Sequence, residues 1–217
     1  MKKYIYGTTE LGEILFNCLK ECNIEIDAFT VDKEYITDNF LMSYPVVPYD
    51  ELKSSAENGE EIGIYVCIGY KAMNENRRRA FKRIKADGMK IESFIHPSAI
   101  VKSDSIGEGC LIFEQAYIGP YTTIGDGNIF FPKSMLSHHS NAGNFNFFSV
   151  GCSVAGNVKI GDNCFLGNNS TTKDAVNIGS YTLLGAGCYA SCDTNEYDVI
   201  VPARGQILEN KRSIDFI

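Results

Sequence analysis

Two of the three histidines of this chain stand side by side, His138 and His139 in "SMLSHHSNAG". An imidazole exchanges its proton near neutral pH, so such a pair suits a general base with a helper, or two metal ligands. The third reading is two polar residues on a turn. Bulk properties narrow the setting. Of 217 residues, 44% are hydrophobic and 22% charged, an ordinary globular mixture. A net charge of −7 argues against a nucleic-acid partner. No apolar run approaches the ~20 residues of a membrane span. The opening "MKKYIYGTTELG" breaks into Gly, Thr and Glu before a signal-peptide core forms, so a cytoplasmic protein is expected. The eight cysteines contain no CxxC pair, and reduced thiols with no metal are expected of them.

The elements that must position the histidines fall into two grammars. Through residue 93, strand and helix signals alternate. "KYIYG" is a β-prone run ending in glycine; Leu11, Ile14, Leu15, Cys18, Leu19 and Cys22 then recur at helical spacing. "EIDAFTVD" and "EIGIYVCIG" read as buried strands, "NENRRRAFKRIKADG" as a helix stopped by Gly88, and "KIESFIH" as a last strand. This predicts a small Rossmann-like parallel α/β domain over 1–93.

From Phe94 onward the period becomes six. Every sixth residue, from Phe94 through Ile100, Ile106 and Ile112 to Ala190, is apolar except Thr172. Glycine often follows, and four places on the side chain is nearly always small, with Cys110, Cys152, Cys164 and Cys188 among them. One inward aliphatic residue per hexad describes a parallel β-helix in which three hexads make a triangular coil. Residues 18 apart then stack on neighbouring coils. The expected β-helix covers 94–195, followed by an extension over 196–217.

The register gives the histidines an address. Leu136 is an inward rung, so His138 and His139 fall near a corner, outside the core. One coil beyond His138 is Gly156. A glycine stacked on a histidine leaves room for a thin ligand and exposes a backbone N–H toward a developing oxyanion. Most lone surface histidines do nothing; the pairing, the register and Gly156 argue for use. Zinc chemistry on a β-helix, as in a carbonic anhydrase, needs three converging histidines. The remaining one, His96, lies two coils plus one hexad before His138 and hence on another face.

The two halves together resemble the bacterial sugar O-acyltransferase family, the sialic acid O-acetyltransferases with the bacillosamine-pathway and perosamine N-acetyltransferases. The resemblance rests on "AFTVDKEYI" with "YPVVPYDEL", on "IGYKAMNENR", on "LSHHSNAGNFNFFSVGCSVAGNVKIGDNCFLG" and on "LLGAGCYAS…VIVPAR". It implies a left-handed parallel β-helix of hexapeptide repeats and a homotrimer with active sites between subunits. It implies acetyl transfer from acetyl-CoA to an amino or hydroxyl group of a sugar, nucleotide-linked by expectation, in surface polysaccharide or glycan biosynthesis. His138 matches the family's general base and Gly156 its oxyanion amide. His139 takes the place of a glutamate that orients the base in many relatives, as a helper or substrate contact. Val201, Pro202, Ala203 and Arg204 stand near the CoA nucleotide, with Arg204 a candidate for a CoA phosphate.

For the sugar nucleotide, the resemblance points to the first turn, "GTTELGE". Gly7, Thr8 and Thr9 there offer amides and hydroxyls to a phosphate at a helix start, beside a repelling Glu10. Asp32 ends the second strand where a ribose or base contact is expected, or else caps a turn. Gly69, Tyr70, Asn74 and Arg77 match a motif of one branch. Phe147 stands where some relatives carry another site histidine. The other basic residues of that helix, Arg78, Arg79, Lys82, Arg83 and Lys85, read as a solvated face. The competing expectations are a non-catalytic trimeric binding module and the zinc carbonic anhydrase.

Overall fold

The computed structural model describes all residues except 104, 204, 206–213 and 215–217. The first unit is a six-stranded sheet built from β1 (Lys2–Tyr6), β2 (Ala28–Val31), β3 (Phe40–Leu41), β4 (Tyr44–Pro48), β5 (Ile62–Val66) and β6 (Lys90–Ile91). Its order is β3-β4-β2-β1-β5-β6, parallel throughout except for the antiparallel β3–β4 pair. The central strands β2 and β5 are buried along their whole length, which is why they read as continuous apolar runs. Helix α1 (Glu10–Glu21) buries Leu11, Leu15, Cys18 and Leu19 against them.

The β3–β4 hairpin and helix α2 (Tyr49–Glu57) were not legible in the sequence. The hairpin turns through Met42 and Ser43, both at positive φ, without the Asn-Gly that signals such a turn. Pro45 and Pro48 in β4 disguise a strand that lies near the edge of the sheet. Helix α2 is short and mostly polar, held by Tyr49 and Leu52.

The second unit is a left-handed parallel β-helix whose two-residue strands stack into sheets of seven, six and five. From Ile106 onward the expected ladder is the core: Ile112, Ile118, Ile124, Phe130, Leu136, Phe148, Val154, Leu166 and Leu184 are all buried inside the prism. Thr172 joins them, its hydroxyl accepting the Ala155 N–H at 3.0 Å. The first coil departs from the expected phase. Phe94 pairs with Leu111 and Val101 with Ile118, 17 residues apart, so Phe94 and Ile100 point outward while Val101 packs on the core. At the other end, Val199–Ile200 pairs with Leu183–Leu184, so the last strand of the solenoid comes from what the sequence reading placed in the extension.

The slip serves the join between the units. Outward Phe94, Leu111, Ile129 and Phe147 form one face of the β-helix and share a buried cluster with Leu15, Phe16 and Phe29 of the α/β unit. Helix α3 (Glu75–Ala86) locks the join. Arg77 is 1% exposed and spends all five of its N–H donors on backbone carbonyls. It donates to Gly127, Phe145 and Asn146 on the β-helix and to Ile68 and Gly69 on its own unit, at 2.9–3.2 Å. Burial lowers its pKa to about 9, so the guanidinium is still cationic at neutral pH. Asn74, also fully buried, donates to the Cys164 carbonyl at 3.0 Å, and Asn163 answers by donating to that of Met73 at 2.9 Å. Ala72, Met73 and Asn74 hold three successive left-handed conformations, a strained turn that these reciprocal amide bonds stabilise.

Arg77 and Asn74 were therefore misread as substrate contacts: their donors are committed to the seam, and neither residue lines the cleft described below. Arg77→Met is expected to destabilise the protein by about 3–5 kcal/mol, because five carbonyls lose their donors at once. A urea melt followed by circular dichroism measures it.

Candidate active site

His138 lies at the corner between the sheet that carries Met135–Leu136 and the one that carries Asn141–Ala142. Its backbone is held by the solenoid, with the carbonyl accepting the Asn157 N–H at 3.0 Å. Its ring lies over Gly156. A Cβ built on Gly156 would come within 2.5 Å of His138 Cε1 and 2.9 Å of Nε2, so this place in the stack has no room for a larger residue. The neighbouring His139 is also exposed, with φ at 57°. Its Nδ1 is 3.1 Å from His138 Nδ1. The ring centroid of Tyr121, one coil earlier, is 4.7 Å from that of His139.

The expected oxyanion amide is not free. The Gly156 N–H donates to Asp174 Oδ1 at 3.0 Å, and a carboxylate in that place repels the charge an oxyanion would bring. Gly156 thus supplies clearance for the imidazole. The sequence held the signal for both neighbours, since Asp174 is 18 residues after Gly156 and Tyr121 is 18 before His139.

His96 takes no part in the pair; its Nδ1 is 2.8 Å from Ser98 Oγ. Nor do the buried thiols offer a nucleophile. Burial pushes Cys18, Cys110, Cys152 and Cys164 up to about 12.

A cleft of about 960 Å³ opens where the α/β unit meets the β-helix. Gly7, Thr8 and Thr9 line it at the start of α1, as the sequence suggested for a phosphate, and Glu10 stands beside them. Gly7 is fixed by sterics, because a Cβ there would lie 2.3 Å from the Cys67 carbonyl oxygen at a φ of 136°. Asp32, Gly69 and Tyr70 also line the cleft. Tyr70 is half exposed, with its ring against Phe147 and Phe165 at 5.2 and 4.7 Å. Phe147 is 2% exposed and closes the β-helix side of the cleft as a packing residue.

Arg83 and Arg79, read from the sequence as a solvated face, border this cleft instead. The Arg83 guanidinium stacks 4.2 Å above the Tyr49 ring and donates to Asp32 Oδ1 and to the Tyr6 hydroxyl, each at 2.7 Å. Tyr6 in turn donates to Asp32 Oδ2 at 2.9 Å. Burial, and then the Asp32 hydrogen bond, raise the Tyr6 hydroxyl well above the usual phenol range, so it remains a donor. Tyr6, Tyr49 and Arg83 are residues that sequence reasoning missed as a group. Only the fold brings β1, α2 and α3 together.

Val201, Pro202 and Ala203 run on, exposed, from the last strand; Arg204 lies outside the described residues. Among the described residues, no helix is long and apolar enough to cross a membrane.

Known proteins share both the repeat and this fold. Residues 157–191 match the family described as the hexapeptide repeat of succinyl-transferase. The acetyltransferase domain of PglB from Neisseria gonorrhoeae FA1090, solved with acetyl coenzyme A, superposes with a TM-score of 0.79 at 22% identity, covering 91% of this chain and 94% of that one. PerB from Caulobacter crescentus, solved with CoA and GDP-perosamine, gives 0.80 at 24% identity over 92% and 93%. WeeI from Acinetobacter baumannii AYE gives 0.65 at 18% identity over 96% and 100%. The chain thus carries hexapeptide repeats and has, over nearly its whole length, the fold of these solved proteins: an α/β unit joined to a left-handed parallel β-helix.

Proposed function

We propose that this protein transfers an acetyl group from acetyl-CoA to an amino or hydroxyl group of a nucleotide-linked sugar, for surface polysaccharide or glycan biosynthesis. The observation that carries the reading is the His138 imidazole lying over Gly156 on an exposed corner of the solenoid, its Nδ1 engaged and its Nε2 left for a substrate. The fold supports it, since it is shared with acetyltransferases solved with acetyl-CoA or CoA.

His138 Nε2 takes a proton from the sugar nitrogen or oxygen as that atom attacks the thioester carbon. A C–N or C–O bond forms, the C–S bond breaks, and the departing thiolate accepts the proton that His138 carries. Acetylated sugar and free CoA thiol result. Val201, Pro202, Ala203 and Arg204 are assigned to the CoA nucleotide. Gly7, Thr8, Thr9 and the Arg83 edge of the cleft are assigned to the acceptor's phosphates.

The reading places the site between subunits of a homotrimer. Within one chain, the cleft borders the face carrying Phe147, whereas His138 is on a different corner and does not line it. The sheet that leads into that corner also presents exposed Ile100 and Tyr189. A second copy covering that sheet brings one chain's histidines to another chain's cleft. The compartment assigned is the cytoplasm, whose reducing conditions keep thiols such as these eight cysteines unpaired.

The deciding assay is thiol release from acetyl-CoA with a panel of nucleotide-linked amino sugars. Failure to bind CoA at millimolar concentration, or binding without thiol release on any acceptor, overturns the proposal. Light scattering is expected to give three times the chain mass. Arg83→Gln is expected to raise KM for the acceptor roughly tenfold with kcat little changed, the signature of lost uniform binding; initial-rate kinetics check it.

A further inference from the structure

The pair of histidines raises a question that a carboxylate partner would not. Two ring nitrogens 3.1 Å apart share one proton, and either ring can hold it. If His139 Nδ1 donates, His138 carries its own proton on Nε2 and cannot act as a base there. If His138 Nδ1 donates, its Nε2 keeps a lone pair. After His138 takes a proton, this second arrangement becomes a charge-assisted N–H···N bond to the His139 lone pair, which the first arrangement cannot form. Catalysis at Nε2 therefore needs His139 to act as the acceptor.

The geometry around His139 is built to hold it there. His139 and Tyr121 occupy equivalent corner positions on successive coils, at φ 57° and 60°. The His139 N–H donates to the Pro120 carbonyl at 3.1 Å, tying the two coils beside the rings. Tyr121 is 75% exposed and covers one face of the His139 ring, at an interplanar angle of 34°. On the other side, Gly156 lets the His138 ring lie close over the backbone, where an added Cβ would meet Cε1, Nε2 and Nδ1 at 2.5, 2.9 and 3.1 Å.

We propose that His139, held by Tyr121, is a positioning residue that sets the tautomer of His138, accepting its Nδ1–H so that Nε2 is the basic nitrogen. Tyr121 acts through the stack alone, and its hydroxyl has no part. This rests on His138 being the base of the proposed reaction, but the tautomer is observable without turnover.

The test labels histidine rings with ¹⁵N and reads long-range ¹H–¹⁵N couplings, which separate Nδ1–H from Nε2–H forms among just three histidines. The expected result is the Nδ1–H form at His138 in the unmodified protein, and its loss in His139→Phe. An Nε2–H form in the unmodified protein, or an unchanged form in His139→Phe, overturns the proposal.

Kinetics give the second readout. His139→Phe keeps a ring on Tyr121 but removes the acceptor, and kcat is expected to fall about 10- to 100-fold with KM for both substrates steady. His139→Gln restores an acceptor oxygen and is expected to recover part of that loss. Tyr121→Ala, which removes the ring from His139, is expected to lose a few-fold in kcat. Equal rates for His139→Phe and His139→Gln would reduce His139 to a structural role and overturn the proposal. Both positions are exposed, so melting temperatures confirm that the variants fold. If no variant or unmodified protein releases thiol, the acetyltransferase reading fails, while the tautomer measurement still judges the pair.

Discussion

His138→Ala is expected to lower kcat for acetyl transfer by about 10²–10⁴-fold, the span typical of a lost general base. The fold should not notice. The His138 side chain is exposed, and the backbone bond from Asn157 to its carbonyl survives truncation. A stability change within about 0.5 kcal/mol is expected. CoA affinity, read by calorimetry, should stay level because no contact to the nucleotide is removed. Steady thiol release at the unmodified rate would remove His138 from the mechanism. A parallel fall in stability would instead mark it as a structural residue.

Gly156→Ala is the second large effect and the sharper one, because it changes no chemical group. The three atoms nearest an added Cβ are all in the His138 ring, at 2.5, 2.9 and 3.1 Å. Gly156 does not occupy a left-handed backbone conformation, so alanine fits the chain itself. What must yield is an exposed ring, which swings outward by roughly 1 Å or more and leaves His139. A displacement of that size costs on the order of 10²-fold in rate, with a stability change under about 1 kcal/mol. Comparing kcat with the denaturation midpoint of the same preparation checks both halves. A variant of normal activity would show that the place of the ring over Gly156 is immaterial. The Gly156 N–H to Asp174 bond is unaffected by the methyl group, so the result bears on clearance and not on that amide.

Much of the solenoid was legible because its information is local. A six-residue period fixes which side chain points inward, and three periods fix what lies above it. Leu136 therefore located His138, and counting 18 located Gly156. The same counting leads on to Asp174 and Tyr121, which the sequence reading did not single out because their meaning appears only beside their partners. It failed at the first coil, where one residue is missing from the turn and Phe94 goes outward to the seam. A short loop deletion leaves the hydrophobic letters in place and merely changes which side they face.

The α/β unit was less legible, and α3 shows why. Its arginines are chemically alike along the sequence, yet Arg77 is sealed against β-helix carbonyls while Arg79 and Arg83 face the cleft. Helical rotation separates these directions, and only the packed neighbour says which is interface and which is site. By itself the sequence determined the solenoid, its core ladder from Ile106 onward and the stacking of His138 on Gly156, because each follows from the six-residue repeat. The tertiary structure decided the rest: Arg77 as clamp and Arg83 as cleft wall, the Gly156 amide taken by Asp174, and the contact between two imidazoles. Those depend on which surfaces meet and on how the side chains are turned: counting 18 brings Asp174 beside Gly156, but only the packed structure shows its carboxylate taking the amide.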